Sequence, residues 1–403
     1  MPTGTSRPAA GQGAARLALT NGRIVLPDRI AEGLALVVEP DAGRIAGLAA
    51  AGELGSETDI VDVEGRAIIP GLVDLHTHGG QGYTFDMPTA ESYARILTMN
   101  ARAGVTALLG TLGSVSIAEA VACLDFGRRW QAAEHGRARL IGMYLESPYI
   151  SPAQAGALDP AGIRRADDGS AEPLFDCTDI LRIFMLAPET PGALPLVERM
   201  AERGVVVAAG HTAAKEEQIV AAIERGLSHV THIWSAMSMT VREGPWRKPG
   251  LVETALVDER LTVEMIADNR HLPRTLMRLA TRCIPPERLC AVSDAATGAG
   301  LPEGTRLKLG PVAFEVRDGV GMLLDGSAFA GSTTLLGQML PVLHDVVGLS
   351  LVDAVRMCSL TPARIAGWAD RIGSLTPGKL ADVVVLDADL ALWRVMIGGQ
   401  WLA

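Results

Sequence analysis

Eight apolar runs, most of them separated by amphipathic segments, constrain this chain more than any other feature. They read AIIPGLVDLH, GVTALLGTL, LIGMYLES, ILRIFMLAPE, GVVVAAGHT, HVTHIWSAM, LTVEMIADN and LCAVSDA, ending near residues 76, 112, 147, 189, 212, 237, 269 and 295. Segments of helical texture lie between most of them, such as SYARILTMNARA, IAEAVACLDFGRRWQAAE, EQIVAAIERG and RTLMRLATRC. Apolar runs alternating with amphipathic stretches are the mark of βα units around a parallel sheet. Eight of them predict a closed (β/α)8 TIM-like barrel rather than an open sheet.

A barrel of this kind takes about 250 residues, and the chain has 403. Part of the surplus lies at the two ends. From Arg16 to Ile68 the texture is short strands and turns (LALT, GRIVLP, GLALVVEP, RIAGLAA, TDIVDV), and the last thirty or so residues, GSLTPGKLADVVVLDADLALWRVMIGGQWL, are strand-like again. Terminal strands most simply join in one sheet. The expected organisation is therefore a tail over 1–15, a small discontinuous β-sandwich from 16–67 and 374–403, and the barrel over 68–373. A β-hairpin insertion at about 305–325, with a third strand after it, follows the eighth run.

Composition narrows the function. With 36 Lys+Arg against 46 Asp+Glu, the net charge of −10 argues against a nucleic-acid partner. No run of about 18 apolar residues is present, so no membrane span is expected. Five scattered cysteines without a CxxC pair suit neither a disulfide framework nor a thiolate metal site, and point to the cytoplasm.

The eight histidines carry the most information. His76, His78, His211 and His232 lie in or just after the C-terminal half of an apolar run, where barrel active sites are built. Glu146 and Asp294 hold the same relative position on two other runs. His76 and His78, two apart on a strand, point to one face and can reach one ion. Imidazole and carboxylate together suit one or two divalent ions, zinc or iron. Asp294 is the candidate general acid/base, with metal ligation as a compatible role. His271, just past the seventh run, is placed to polarise a substrate carbonyl or bind a hydroxyl. His135, His229 and His344 read as structural.

These residues, with PGLVDLHTHGG, GHTAA, HVTHIWSAM, PGLVETAL, MIADNRH, VSDAATGAG and GSLTPGKLADVVVLD in that order, resemble the amidohydrolase superfamily and, within it, the N-acetylglucosamine-6-phosphate deacetylases. The resemblance implies a metal-dependent barrel hydrolase that removes acetate from an N-acetylated amino-sugar phosphate, commonly as a homodimer. It implies Glu146, His211 and His232 as metal ligands, His76 and His78 as the extra ligands of two-metal members, Asp294 as acid/base, and His271 as a substrate contact. It also implies sugar-phosphate contacts at Ala157, Ser235 and Ala236 and near Phe329, Ala330 and Gly331.

The chain departs from that pattern in its pocket motifs. It has Glu146-Ser147-Pro148 for Glu-Gly-Pro, Leu158 for the histidine of Gly-Ala-His, and Trp234-Ser235 for an aromatic residue followed by Asn. The insertion VREGPWRK leaves Arg247 or Arg242 as the phosphate-binding arginine. Losing an imidazole and an amide can redirect specificity. The rival expectations are therefore a superfamily hydrolase for another N-acyl sugar, an N-acyl amino acid or a cyclic amide, and a non-catalytic barrel scaffold.

Overall fold

A computed structural model describes residues 16–133, 136–309 and 312–403. The expected tail over 1–15 and His135 lie outside the described residues. Eight strands, Leu72–Thr77, Val105–Leu112, Arg139–Leu145, Leu181–Leu186, Val206–Ala209, Leu227–Val230, Thr262–Ile266 and Leu289–Val292, follow one another in a single parallel sheet. The (β/α)8 TIM-like reading holds. Main-chain hydrogen bonds just past the eighth strand join it to the first: Asp294 N donates to His76 O at 2.8 Å and His78 N to Ala295 O at 2.9 Å.

Several helices start where the sequence supplies a cap. Thr89 and Ser116 accept from backbone amides at the starts of Ala90–Arg102 and Ile117–Gln131, and Glu119 closes a capping box on Ser116. One connection contains no α-helix. Between the third and fourth strands the chain makes three short 3-10 turns, Pro152–Gln154, Pro160–Gly162 and Glu172–Cys177. A proline stands early in each of these turns, which a continuous helix would not tolerate. The resulting long loop forms one wall of the site.

The first apolar run is not one strand. Ala67–Pro70 belongs to a six-stranded sheet with Arg23–Val25, Ile30–Ala31, Val383–Leu386, Leu392–Ile397 and Gln400–Trp401, and the barrel begins only at Leu72. That sheet faces a four-stranded one, Arg44–Ala50, Leu34–Glu39, Arg16–Thr20 and Thr58–Asp62. The apolar layer between them includes Leu19, Leu36, Val38, Ile68, Val383 and Met396. Both termini therefore build the small sandwich. After the eighth strand, Arg306–Leu309, Val312–Arg317, Val320–Leu323 and Phe329–Ser332 form an antiparallel sheet, one strand larger than expected. Its last strand brings Phe329, Ala330 and Gly331 to the barrel mouth. Among the described residues no helix is long and apolar enough to cross a membrane.

The joint between sandwich and barrel is Gly71, whose amide donates to Asp382 O at 2.9 Å. A Cβ there would lie 2.1 Å from Thr106 Oγ1 on the second barrel strand. Gly71→Ala is therefore expected to destabilise the fold by about 1–3 kcal/mol through overpacking, read as a lowered urea midpoint. An unchanged midpoint would show that Thr106 rotates away freely.

Candidate active site

In a parallel barrel every strand ends at the same mouth, so side chains at strand ends converge. His76 is the fifth residue of the first strand and His78 follows its end. Glu146, His211, His232 and Asp294 come one or two residues after their own strands. All six are buried. Glu146 is the hub: its Oε1 lies 3.1 Å from His232 Nε2, 3.3 Å from His211 Nε2 and 3.5 Å from His76 Nε2, and its Oε2 3.3 Å from His78 Nε2. Asp294 Oδ1 lies 3.4 Å from His78 Nε2 and 3.6 Å from His76 Nε2.

Two groups result, His76/His78/Glu146 and Glu146/His211/His232, each with its ligand atoms within 4.8 Å of one another. Glu146 belongs to both. The donor set fits a cation. His211 directs Nδ1–H to Gln154 O at 2.8 Å, and His76 directs Nδ1–H to Glu264 Oε2 at 2.9 Å. A neutral ring with its proton on Nδ1 has only a lone pair on Nε2, and here those lone pairs face carboxylate oxygens. Such an arrangement needs positive charge between the partners. Chelating histidines oriented through their second nitrogen are the usual design of metal sites.

Where no ion lies between the partners, protons on His76 and His78 supply the positive charge instead: burial works against them, and Glu264, Glu146 and Asp294 around them outweigh it. Burial would raise the Glu146 carboxyl, but its contacts with the imidazoles of His211, His232 and His78 hold it well below the usual carboxylate range. Burial likewise opposes ionisation of Asp294, and the His78 hydrogen bond with the nearby charge of His76, His78 and His232 outweighs it. Asp74 sits beneath them, and burial pushes it up to about 6 although Ser293 and the His76 amide donate to it. The backbone is strained here too. His211, Trp234, Ala236, Asn269 and Asp294 have φ between 43° and 72°, a region that costs a non-glycine residue about 1–3 kcal/mol.

A cavity of about 300 Å³ opens onto this cluster. Five of the six metal-type residues line it; His76 lies behind them. The remaining wall includes Gly156, Ala157, Leu158, Trp234, Ser235 and Ala236 on one side, and His271, Phe329, Ala330 and Gly331 on the other. Among the described residues, no arginine or lysine lines it. Arg242 and Arg247, expected at the phosphate, face each other on an exposed antiparallel ribbon, Val241–Glu243 with Trp246–Lys248. Their hydrogen bonds go to Gly244 O and Pro245 O on the same ribbon. The insertion folds back on itself as a two-stranded arm, which keeps both arginines out of this cavity.

Two residues that set the geometry, Glu264 and Asp268, were not among those the sequence singled out. Glu264 is fully buried within the seventh strand and, besides His76, accepts from His229 Nε2 at 3.0 Å and the His232 amide at 3.2 Å. His229, read as structural, is part of this network. Asp268 accepts from the Arg270 and His271 amides at 2.8 Å, from His271 Nδ1 at 2.7 Å and from Ser332 Oγ at 3.2 Å. A carboxylate inside the apolar run LTVEMIADN was the available signal for Glu264.

A parallel barrel with a shared carboxylate among four imidazoles at its carboxyl mouth defines a metal-dependent hydrolase. The sequence profile of the amidohydrolase family matches residues 67–402, and the chain belongs to that family. It is 30% identical to the N-acetylgalactosamine-6-phosphate deacetylase of Escherichia coli O157:H7 over 92% of this chain and 93% of that protein. It is also 30% identical to the N-acetylglucosamine-6-phosphate deacetylase of Vibrio furnissii over 83% of this chain and 82% of that one. The Mycobacterium smegmatis N-acetyl-D-glucosamine-6-phosphate deacetylase superposes with a TM-score of 0.86 at 30% identity, covering 96% of this chain and 98% of that one.

Because Asp268 satisfies four donors around His271, Asp268→Ala leaves several of them buried without a partner. It is expected to lose about 1–3 kcal/mol of stability, measured by chemical denaturation. No loss would mean that water replaces the carboxylate.

Proposed function

We propose that this chain is a metal-dependent amide hydrolase that releases acetate from an N-acetylated amino-sugar phosphate, with N-acetylglucosamine 6-phosphate as substrate. The observation that carries this reading is Glu146 shared among four imidazoles, with Asp294 beside the His76/His78 pair at the floor of a small pocket. The relatives support the sugar phosphate. N-acetylgalactosamine 6-phosphate is the second reading, favoured by the relative that matches over 92% of this chain.

His76, His78, Glu146, His211 and His232 would hold one or two divalent ions, zinc or iron. A bound ion supplies Lewis acidity and brings the pKa of water down to about 7. Asp294 takes the proton of the attacking water and returns it to the departing sugar nitrogen, so that the amine leaves neutral. Its backbone is held from two sides, its amide by His76 O and its carbonyl by the Ser332 amide, both at 2.8 Å. That fixes the carboxylate without help from substrate. His271, with Nδ1 committed to Asp268, turns its other ring nitrogen to a sugar hydroxyl or to the acetyl oxygen. Leu158 and Phe329 give the sugar an apolar wall in place of a polar contact.

The phosphate needs a cation that the pocket walls do not supply. Arg242 or Arg247, neither ion-paired among the described residues, is the source we assign. The exposed Met239, Val241 and Trp246 on the same arm, 56%, 49% and 70% exposed, support a homodimer. Unpaired cysteines at all five positions support a cytoplasmic setting.

Acetate release from both 6-phosphates and their dephospho analogues tests the reading. The metal-supplemented protein is expected to turn over at least one 6-phosphate, and Asp294→Asn to lose about 10²–10⁴-fold in kcat. No acetate from any of the four substrates would sink it. A second assay concerns the arginines. Removing the one that holds phosphate is expected to raise KM for the phosphorylated sugar about 10–100-fold, the worth of a charged hydrogen bond, with little change for the dephospho sugar. Full activity in both Arg242→Ala and Arg247→Ala would exclude the arm.

A further inference from the structure

Glu264 performs none of the steps above, yet it is enclosed completely and both of its oxygens are engaged. We propose that Glu264 is a positioning residue for the His76/His78 half of the metal site, with His229 as its brace. The proposal rests on the reading that these histidines hold an ion.

An ionised carboxylate only accepts hydrogen bonds. The 2.9 Å contact from Oε2 to His76 Nδ1 therefore fixes the proton on Nδ1 and leaves the Nε2 lone pair directed at the cluster. The same oxygen takes the His232 amide at 3.2 Å, so one atom ties a ring of one half of the site to the main chain of the other. Oε1 is held by His229 Nε2 at 3.0 Å, and His229 is itself fully buried with Nδ1 2.7 Å from Thr262 Oγ1. The carboxylate cannot rotate without breaking one of these contacts.

The other three imidazoles are treated differently. His211 uses a neutral carbonyl, and Nδ1 of His78 and of His232 has no partner among the described residues. His76 alone has an anion behind it, and an anion raises the donor strength of a ligating imidazole. Glu264 should therefore control one metal equivalent and spare the other.

The test is zinc(II) titration of chelator-stripped protein against a chromophoric chelator. It compares wild type, Glu264→Met and Glu264→Gln, each also in a His76→Ala background. Wild type is expected to take two equivalents, and Glu264→Met to weaken one of them about 10–100-fold. Glu264→Gln should weaken the same equivalent less, because its carboxamide oxygen still accepts from His76 while its amino group faces His229. With His76→Ala that equivalent is already gone, and changing Glu264 should alter nothing further. Unchanged affinity in the Glu264 variants would overturn the proposal. So would an equal loss from both equivalents, or a further loss in the His76→Ala background, since a purely structural role predicts those. If Glu264→Met does not fold, Glu264→Gln in the two backgrounds decides. Wild-type uptake below one equivalent would instead bring down the metal reading itself.

Discussion

Closure of the barrel is the constraint on which the rest of the structure depends. The first and eighth strands are joined by main-chain bonds from residues that also carry the chemistry: His76 O receives the Asp294 amide, and Ala295 O receives that of His78. Asp74 joins the same seam, accepting the Ser293 amide at 3.1 Å. Closing the sheet and bringing Asp294 beside His76 and His78 are thus one event. Because all eight strands are parallel, Glu146, His211 and His232 arrive at the same mouth from the third, fifth and sixth strands. The cluster is a consequence of topology.

That convergence is costly. Glu146, Glu264, Asp268 and Asp294 are all buried, and burying an ionised carboxylate without partners is prohibitive. Each has a surrounding set of imidazole, amide or hydroxyl groups that offsets the loss of water. Left-handed backbone at His211, Ala236 and Asp294 adds strain at the same mouth. Strain of this kind persists only where the surrounding packing overdetermines it, and the fully buried strands beneath supply that rigidity. The site is rigid where protons and metal ligands are placed. The loop after the third strand and the inserted sheet supply much of the remaining cavity wall, and the exposed arm lies outside it.

The relation of pocket to arm bears on specificity. A phosphorylated substrate would enter a cavity with an apolar wall at Leu158 and Phe329 and, among the described residues, no lysine or arginine in its lining. The arm that carries Arg242 and Arg247 lies apart from that cavity. Substitutions along the arm are therefore expected to leave Glu146 and its imidazoles undisturbed.

The sequence by itself determined the periodicity and chemistry: eight apolar runs, short strands at both ends, and His76, His78, Glu146, His211, His232 and Asp294 at the ends of runs. Strand alternation and the parallel rule are local or nearly local, so they show in one dimension. Only the tertiary structure decided the split at Gly71, where the Thr106 side chain on the second barrel strand leaves no room for a Cβ. It also decided the absence of an α-helix after the third strand, the exposure of Arg242 and Arg247, and the roles of Glu264, His229 and Asp268. Those depend on which residues from distant strands share an interior layer. A buried glutamate in LTVEMIADN acquires its meaning only once the sheet has closed and His76, nearly 190 positions earlier, lies 2.9 Å away.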